Sequence, residues 1–161
     1  MENVNLPDLR PDDHVPVERF ELAWRWTDAK YALFSEEDLR SIRPLAPAAA
    51  QRIAKPLESL VAPHGLAAES FANIEHTPAS GDVESVTRWL QARVPDRDLS
   101  VYVVWWHGGH VVRVPWELFA RRWNDFCYPS SDDVSVYPVT SGWMALYGHH
   151  EELWFGREAA P

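Results

Sequence analysis

Apolar and polar positions alternate along FELAWRW: Phe20, Leu22, Trp24 and Trp26 fall on one side, Glu21, Ala23 and Arg25 on the other. A period of two predicts a half-buried strand there. Ser35 followed by Glu36, Glu37 and Asp38 has the form of an N-cap with acids in a first helical turn, where the helix dipole favours negative charge. Pro44 stops that helix early. A second helix is expected from Pro47 through AAAQRIAKPLESLVA, kinked or broken at Pro56, which removes an internal hydrogen bond. Residues 62–79 carry turn formers and weak periodicity, so they read as a connection with at most a short strand or helical turn. Ser80 or Asp82 caps a third helix, whose stripe is Val83, Val86, Leu90 and Val94 beside Trp89, and Pro95 ends it.

The second half alternates strands with one helix. Leu99–Trp106 is a strong strand, Gly108-Gly109 a tight turn, and His110–Val114 the return strand. Pro115 then opens a helix in which Trp116, Phe119, Trp123 and Phe126 recur at helical spacing. Residues 129–133 are loop, VSVYPVT is a strand with Pro138 marking an edge or bulge, and Trp143–Tyr147 with Leu153–Phe155 form a last hairpin. Pro7, Pro11 and Pro16 deny a helix to residues 1–17, an extended or flexible lead. The expectation is an α+β fold, with residues 18–161 a single domain: a mainly antiparallel sheet in the C-terminal half with helices packed on it.

Charge and composition narrow the function classes. A net charge of −9 without a basic run argues against a nucleic-acid ligand and suits a basic protein partner, although solubility alone explains it too. The lone Cys127 excludes an intramolecular disulfide framework. No signal-peptide pattern and no apolar run of membrane-spanning length is present, so the expectation is a cytoplasmic protein without membrane attachment.

Candidate chemistry is sparse. In a two-residue hairpin His107 and His110 would face each other, and with His149 and His150 at the other hairpin tip they could hold a divalent transition metal such as zinc if the tips met. A nucleophile built from Cys127 and a histidine is disfavoured, because the end of an aromatic helix buries a thiol. Ser130 and Ser131 before Asp132 and Asp133 lack a nucleophile elbow, the adjacent acid pairs point apart, and no phosphate-binding glycine loop occurs. Nine tryptophans are the main clue. Trp105 and Trp106, consecutive on a strand, point to opposite faces of the sheet. If Met144, Leu146, Leu153 and Phe155 fill one face of the last hairpin, Trp143, Tyr147 and Trp154 need cover on the other. A sheet apolar on both faces is either sandwiched by helices or carries a binding surface.

SEEDLRSIRPLAPAAAQRI, VPWELFARRWNDFCYP and WMALYGHHEELWFGRE together resemble a family of small bacterial proteins of unknown function, and the acidic α+β layout resembles immunity proteins of bacterial toxin systems. The resemblance implies a fold and a binding role but supplies no catalytic residues and no cofactor. The leading expectation is therefore a non-enzymatic binding protein, an immunity-type inhibitor of a basic toxin, with Trp106, Asp132, Glu151, Glu152 and Trp154 as contacts. The alternative is a metal-binding protein or metal-dependent enzyme using the hairpin histidines.

Overall fold

The C-terminal half supplies five strands: β5 (Ser100–Trp105), β6 (His110–Pro115), β7 (Val134–Pro138), β8 (Trp143–Gly148) and β9 (Glu152–Glu158). The N-terminal half adds β1 (Arg43–Pro44) at one edge and β4 (Phe71–Pro78) at the other, giving an antiparallel sheet of seven strands in the order β1-β6-β5-β7-β8-β9-β4. Strands β2 (Val61–Ala62) and β3 (Gly65–Leu66) form a separate small hairpin. A computed structural model describes residues 4–159; residues 1–3 of the expected lead and the last two residues lie outside it.

Both faces of the sheet are covered. On the first face, Val101, Val103, Trp105, Val134, Val136, Trp143, Ala145, Tyr147, Leu153 and Phe155 join one core. Helices α4 (Val83–Arg93), α5 (Trp116–Arg121) and α6 (Trp123–Phe126), with the segment around α1 (Trp24–Thr27), contribute to that core. On the second face, Tyr102, Val104, Val111, Tyr137, Met144 and Leu146 meet helix α3 (Pro47–Leu57) and the β2–β3 hairpin. Val4, Leu6 and Leu9 of the lead pack on this second core as well. The last hairpin divides differently from expectation. Its register pairs Ala145 with Phe155, Tyr147 with Leu153 and Leu146 with Trp154, so Leu153 and Phe155 share a face with Trp143 and Tyr147.

Several elements form as the sequence predicts. The Ser35 hydroxyl accepts from the Asp38 amide at 3.1 Å and opens α2 (Glu36–Ser41), a cap worth about 1 kcal/mol. Asp82 caps α4 through the Glu84 amide. Pro56 stands in the last turn of α3, where the helix gives way to the 3-10 turn Glu58–Leu60 instead of running to residue 62. The tryptophan helix, expected as one element, instead breaks at Arg122 into α5 and α6.

Two further segments differ from expectation. FELAWRW is not a strand: a turn leads into α1, and Phe20, Ala23 and Trp26 are buried at a spacing of three while Trp24 stays exposed. Polar groups decide this, because the Trp26 indole donates to the Asp125 carbonyl at 3.0 Å and Arg25, on the expected polar side, is buried. The expected connection over 62–79 contains β4, an eight-residue edge strand paired along its length with β9. Its exposed and half-buried polar residues are those of an edge strand, which hides its hydrophobic signal. Pro138 lies inside the sheet at the end of β7, beyond the last β7–β8 pair at Val136, so its missing N–H costs no ladder bond to β8.

Candidate functional site

One end of the sheet gathers the predicted site residues. A continuous cross-strand row runs His110, Trp105, Val134, Tyr147 and Leu153 through β6, β5, β7, β8 and β9. The β5–β6 and β8–β9 turns therefore emerge at the same end, but His110 and Tyr147 stand three strand steps apart, roughly 14 Å at the usual spacing. His110 turns to the first face while His149 and His150 sit at the second, so the four hairpin histidines do not converge.

The first turn corrects the two-residue hairpin expected around HGGH. Trp105 pairs with His110, so the loop comprises Trp106, His107, Gly108 and Gly109, closed by the Gly109 amide on the Trp105 carbonyl at 3.1 Å. Gly108 and Gly109 take φ angles of 94° and 71°, which glycine adopts without a Cβ clash. His107 is exposed at the tip and does not face His110. His110 turns to the first face, where its ring meets Phe20 edge-on at 5.7 Å and its Nε2 lies 3.1 Å from a Glu21 carboxylate oxygen. His149 and His150, with ring centroids 3.9 Å apart, sit at the second face, and His149 contacts Asp133 through Nδ1 at 2.9 Å. No group of three or more histidine, cysteine, aspartate or glutamate side chains arranged to hold a metal occurs among the described residues.

Trp105 and Trp106 do point to opposite faces. Trp105 is buried in the first core, its indole donating to the Phe126 carbonyl at 2.9 Å. Trp106 is half-buried on the second face, its indole donating to the Ser135 hydroxyl at 2.7 Å. Beside it opens a cleft of about 670 Å³, walled by Trp106, Trp154 and Leu146, with the β2–β3 hairpin opposite. His64, His76, His149 and His150 stand around it with the carboxylates of Asp133 and Glu152. Glu152 contacts the His76 imidazole, which in turn lies over Trp154 with ring centroids 5.2 Å apart. Two glycines hold the Trp154 indole in place. A Cβ on Gly148 would come within 3.0 Å of the ring and one on Gly65 within 3.2 Å, so the indole lies in a slot between β8 and the small hairpin.

Of the five predicted contact residues, Trp106, Trp154 and Glu152 line this cleft. Glu151 is at the neighbouring turn with φ 63°, its carbonyl accepting from the Ala79 amide at 2.7 Å. Asp132 is not a surface acid. It is buried, accepts from both terminal guanidinium nitrogens of Arg25 at 2.5 and 3.2 Å, and accepts from the Tyr128 amide at 2.8 Å. Its neighbour Asp133, which the adjacent-acid pattern does not distinguish, holds the rim position. His64 and His76 carry no sequence signal of their own, since each stands alone in a segment without clear periodicity.

A second aromatic surface adjoins the same loop. Trp24, Tyr31 and Tyr128 contact one another with centroids 4.6 to 6.5 Å apart, and Trp24 and Tyr31 are 37% and 47% exposed. The loop over residues 128–133 thus carries Tyr128 into this patch and Asp133 into the cleft. Cys127 is fully buried, and burial pushes its thiol well above the ordinary range, which is the reverse of what a nucleophile requires. No protein-family model matches this chain, and no match was found among curated proteins or solved structures.

Proposed function

We propose that this is a non-enzymatic binding protein and that the Trp106–Trp154 cleft is its recognition site for a basic segment of a protein partner. The observation that carries the reading is the meeting of two half-buried indoles with the Asp133 and Glu152 carboxylates around one cleft. Aromatic faces attract a guanidinium or ammonium group by about 0.5–2 kcal/mol, more as water is excluded. Carboxylates at the rim add charge complementarity and steering, which the net charge of −9 extends over the whole molecule. Tryptophan at a partly preformed cleft is also the residue type that dominates binding energy at interfaces.

The particular role that fits is an immunity-type inhibitor acting in the cytoplasm, which would occlude the basic active-site surface of a cognate toxin. Two measurements test this at different levels. Calorimetry with an arginine-rich nonapeptide should give saturable binding that weakens in Asp133→Asn and Glu152→Gln, while a glutamate-rich peptide gives none. Equal heats from both peptides would refute the recognition site. The gene beside this one decides the immunity role: a small basic protein that harms cells unless this chain is co-expressed supports it, and an isolated gene contradicts it.

A further inference from the structure

Four adjacent strands present one row of side chains on the second face. Tyr137 of β7, Tyr102 of β5, Arg113 of β6 and Arg43 of β1 occupy directly opposed cross-strand positions. Like charges opposite each other on an antiparallel pair are destabilising, yet Arg43 and Arg113 face each other at this sheet edge. The N-terminal lead crosses the row, and its residues 6–11 with His14 complete a cleft of about 470 Å³ to which Arg10 adds a third guanidinium. None of the three arginines forms an ion pair among the described residues, although eight other arginines of the chain do. Asp8 is the one carboxylate in the lining, and it too forms no ion pair among the described residues.

Burial holds the His14 imidazole below its ordinary pKa, and the neighbouring Arg43 and Arg113 guanidiniums push it the same way. The buried Tyr102 phenol, beside Arg113, is pushed up by burial and so stays a neutral O–H donor. The cleft therefore combines guanidinium forks, a phenol donor and an imidazole in a molecule that is otherwise strongly acidic.

We infer that this cleft binds a phosphate group, free or as the monoester of a small molecule. Three guanidiniums against one carboxylate leave a surplus of two positive charges, which a phosphate dianion balances and a single carboxylate does not. Guanidinium forks match oxyanions bidentately, with geometry that lysine cannot supply. A bound dianion also turns the Arg43–Arg113 opposition from a cost into a bridge. The site shares no residue with the Trp106–Trp154 cleft and does not depend on it.

The test is an NMR and calorimetric titration of the full chain at constant ionic strength with inorganic phosphate, glycerol 3-phosphate, acetate and sodium chloride. Saturable binding is expected for the two phosphates, with shifts at the Arg43 and Arg113 side-chain signals and a rise in the His14 pKa. Glycerol 3-phosphate binding more tightly than inorganic phosphate identifies a monoester as the ligand, and the reverse order identifies free phosphate. Arg43→Gln, at an exposed position, should weaken phosphate binding about tenfold, the loss expected of one charge-assisted contact. Arg10→Gln, on the lead, is a second variant that leaves the sheet untouched, and the melting temperature of each checks the fold. Absence of saturation, equal binding of acetate or chloride, or undiminished binding in both folded variants would overturn the inference.

Discussion

A guanidinium and a carboxylate taken out of water together gain little over an apolar pair, but removing one strands the other without solvent. Arg25 and Asp132, with side chains 6% and 8% exposed, are in that position. The Arg25 guanidinium also donates to the Phe126 carbonyl at 3.2 Å and lies over the Tyr128 ring at 4.2 Å, so it ties α1 to the segment after α6. Asp132→Ala should therefore cost about 3–5 kcal/mol by denaturant unfolding, and Arg25→Met with Asp132→Leu together should cost much less than either single change. Additive losses in the double variant would show that the pair is not coupled. Gly148 offers a sharper probe of the cleft. In Gly148→Ala the new methyl meets the Trp154 ring at 3.0 Å, so the Trp154 indole signal should move and binding of the arginine-rich peptide should fall. An unmoved indole signal would contradict the packing described.

At the scale of elements, the edges of the sheet depend on close approach and on charge. Gly156 of β9 lies under Phe71 and Leu66, and a Cβ there would come within 2.7 Å and 2.9 Å of their side chains. Gly156→Ala should destabilise the protein by about 1–3 kcal/mol through overpacking, with amide exchange in β4 accelerating more than in β5. The other edge carries the lead, which pairs through His14 with Leu45. Because the folded pKa of His14 lies below its unfolded value near 6.5, the neutral ring is the form the fold prefers. Its contribution is full above that value and is lost as pH falls through the lowered folded pKa. Stability measured between pH 7 and pH 5 should decline less steeply in His14→Gln than in the native chain. These edges were the least legible parts of the sequence. Strand β4 has too few apolar positions to announce itself, and β1 is two residues long. FELAWRW misled because apolar spacings of two and three coincide at Phe20 and Trp26, and only the buried Arg25 and the Trp26 hydrogen bond separate them.

For the whole molecule, the antiparallel sheet, its hairpins and the capped helices were legible because each rests on a strong local pattern: valine-rich runs in β5 and β6, Ser35 and Asp82 at caps, prolines at helix ends. The division of aromatics between two faces was legible for Trp105 and Trp106, because that follows from strand geometry alone. The clefts were not. Trp106, Trp154, Asp133 and His76 meet only through the pairing of β5, β7, β8, β9 and β4, and Arg10, Arg43 and Arg113 only through β1, β6 and the lead. Tertiary pairing assembled both from residues that no spacing rule connects. Among the described residues no helix is long and apolar enough to cross a membrane. The central claim is that the Trp106–Trp154 cleft receives a basic segment. Its most direct test follows the nine tryptophan indole N–H signals by NMR during titration with the arginine-rich nonapeptide. Saturable shifts concentrated at Trp106 and Trp154 are expected, with Trp105 and Trp116 unmoved. Shifts confined to Trp24, or none at all, would contradict it.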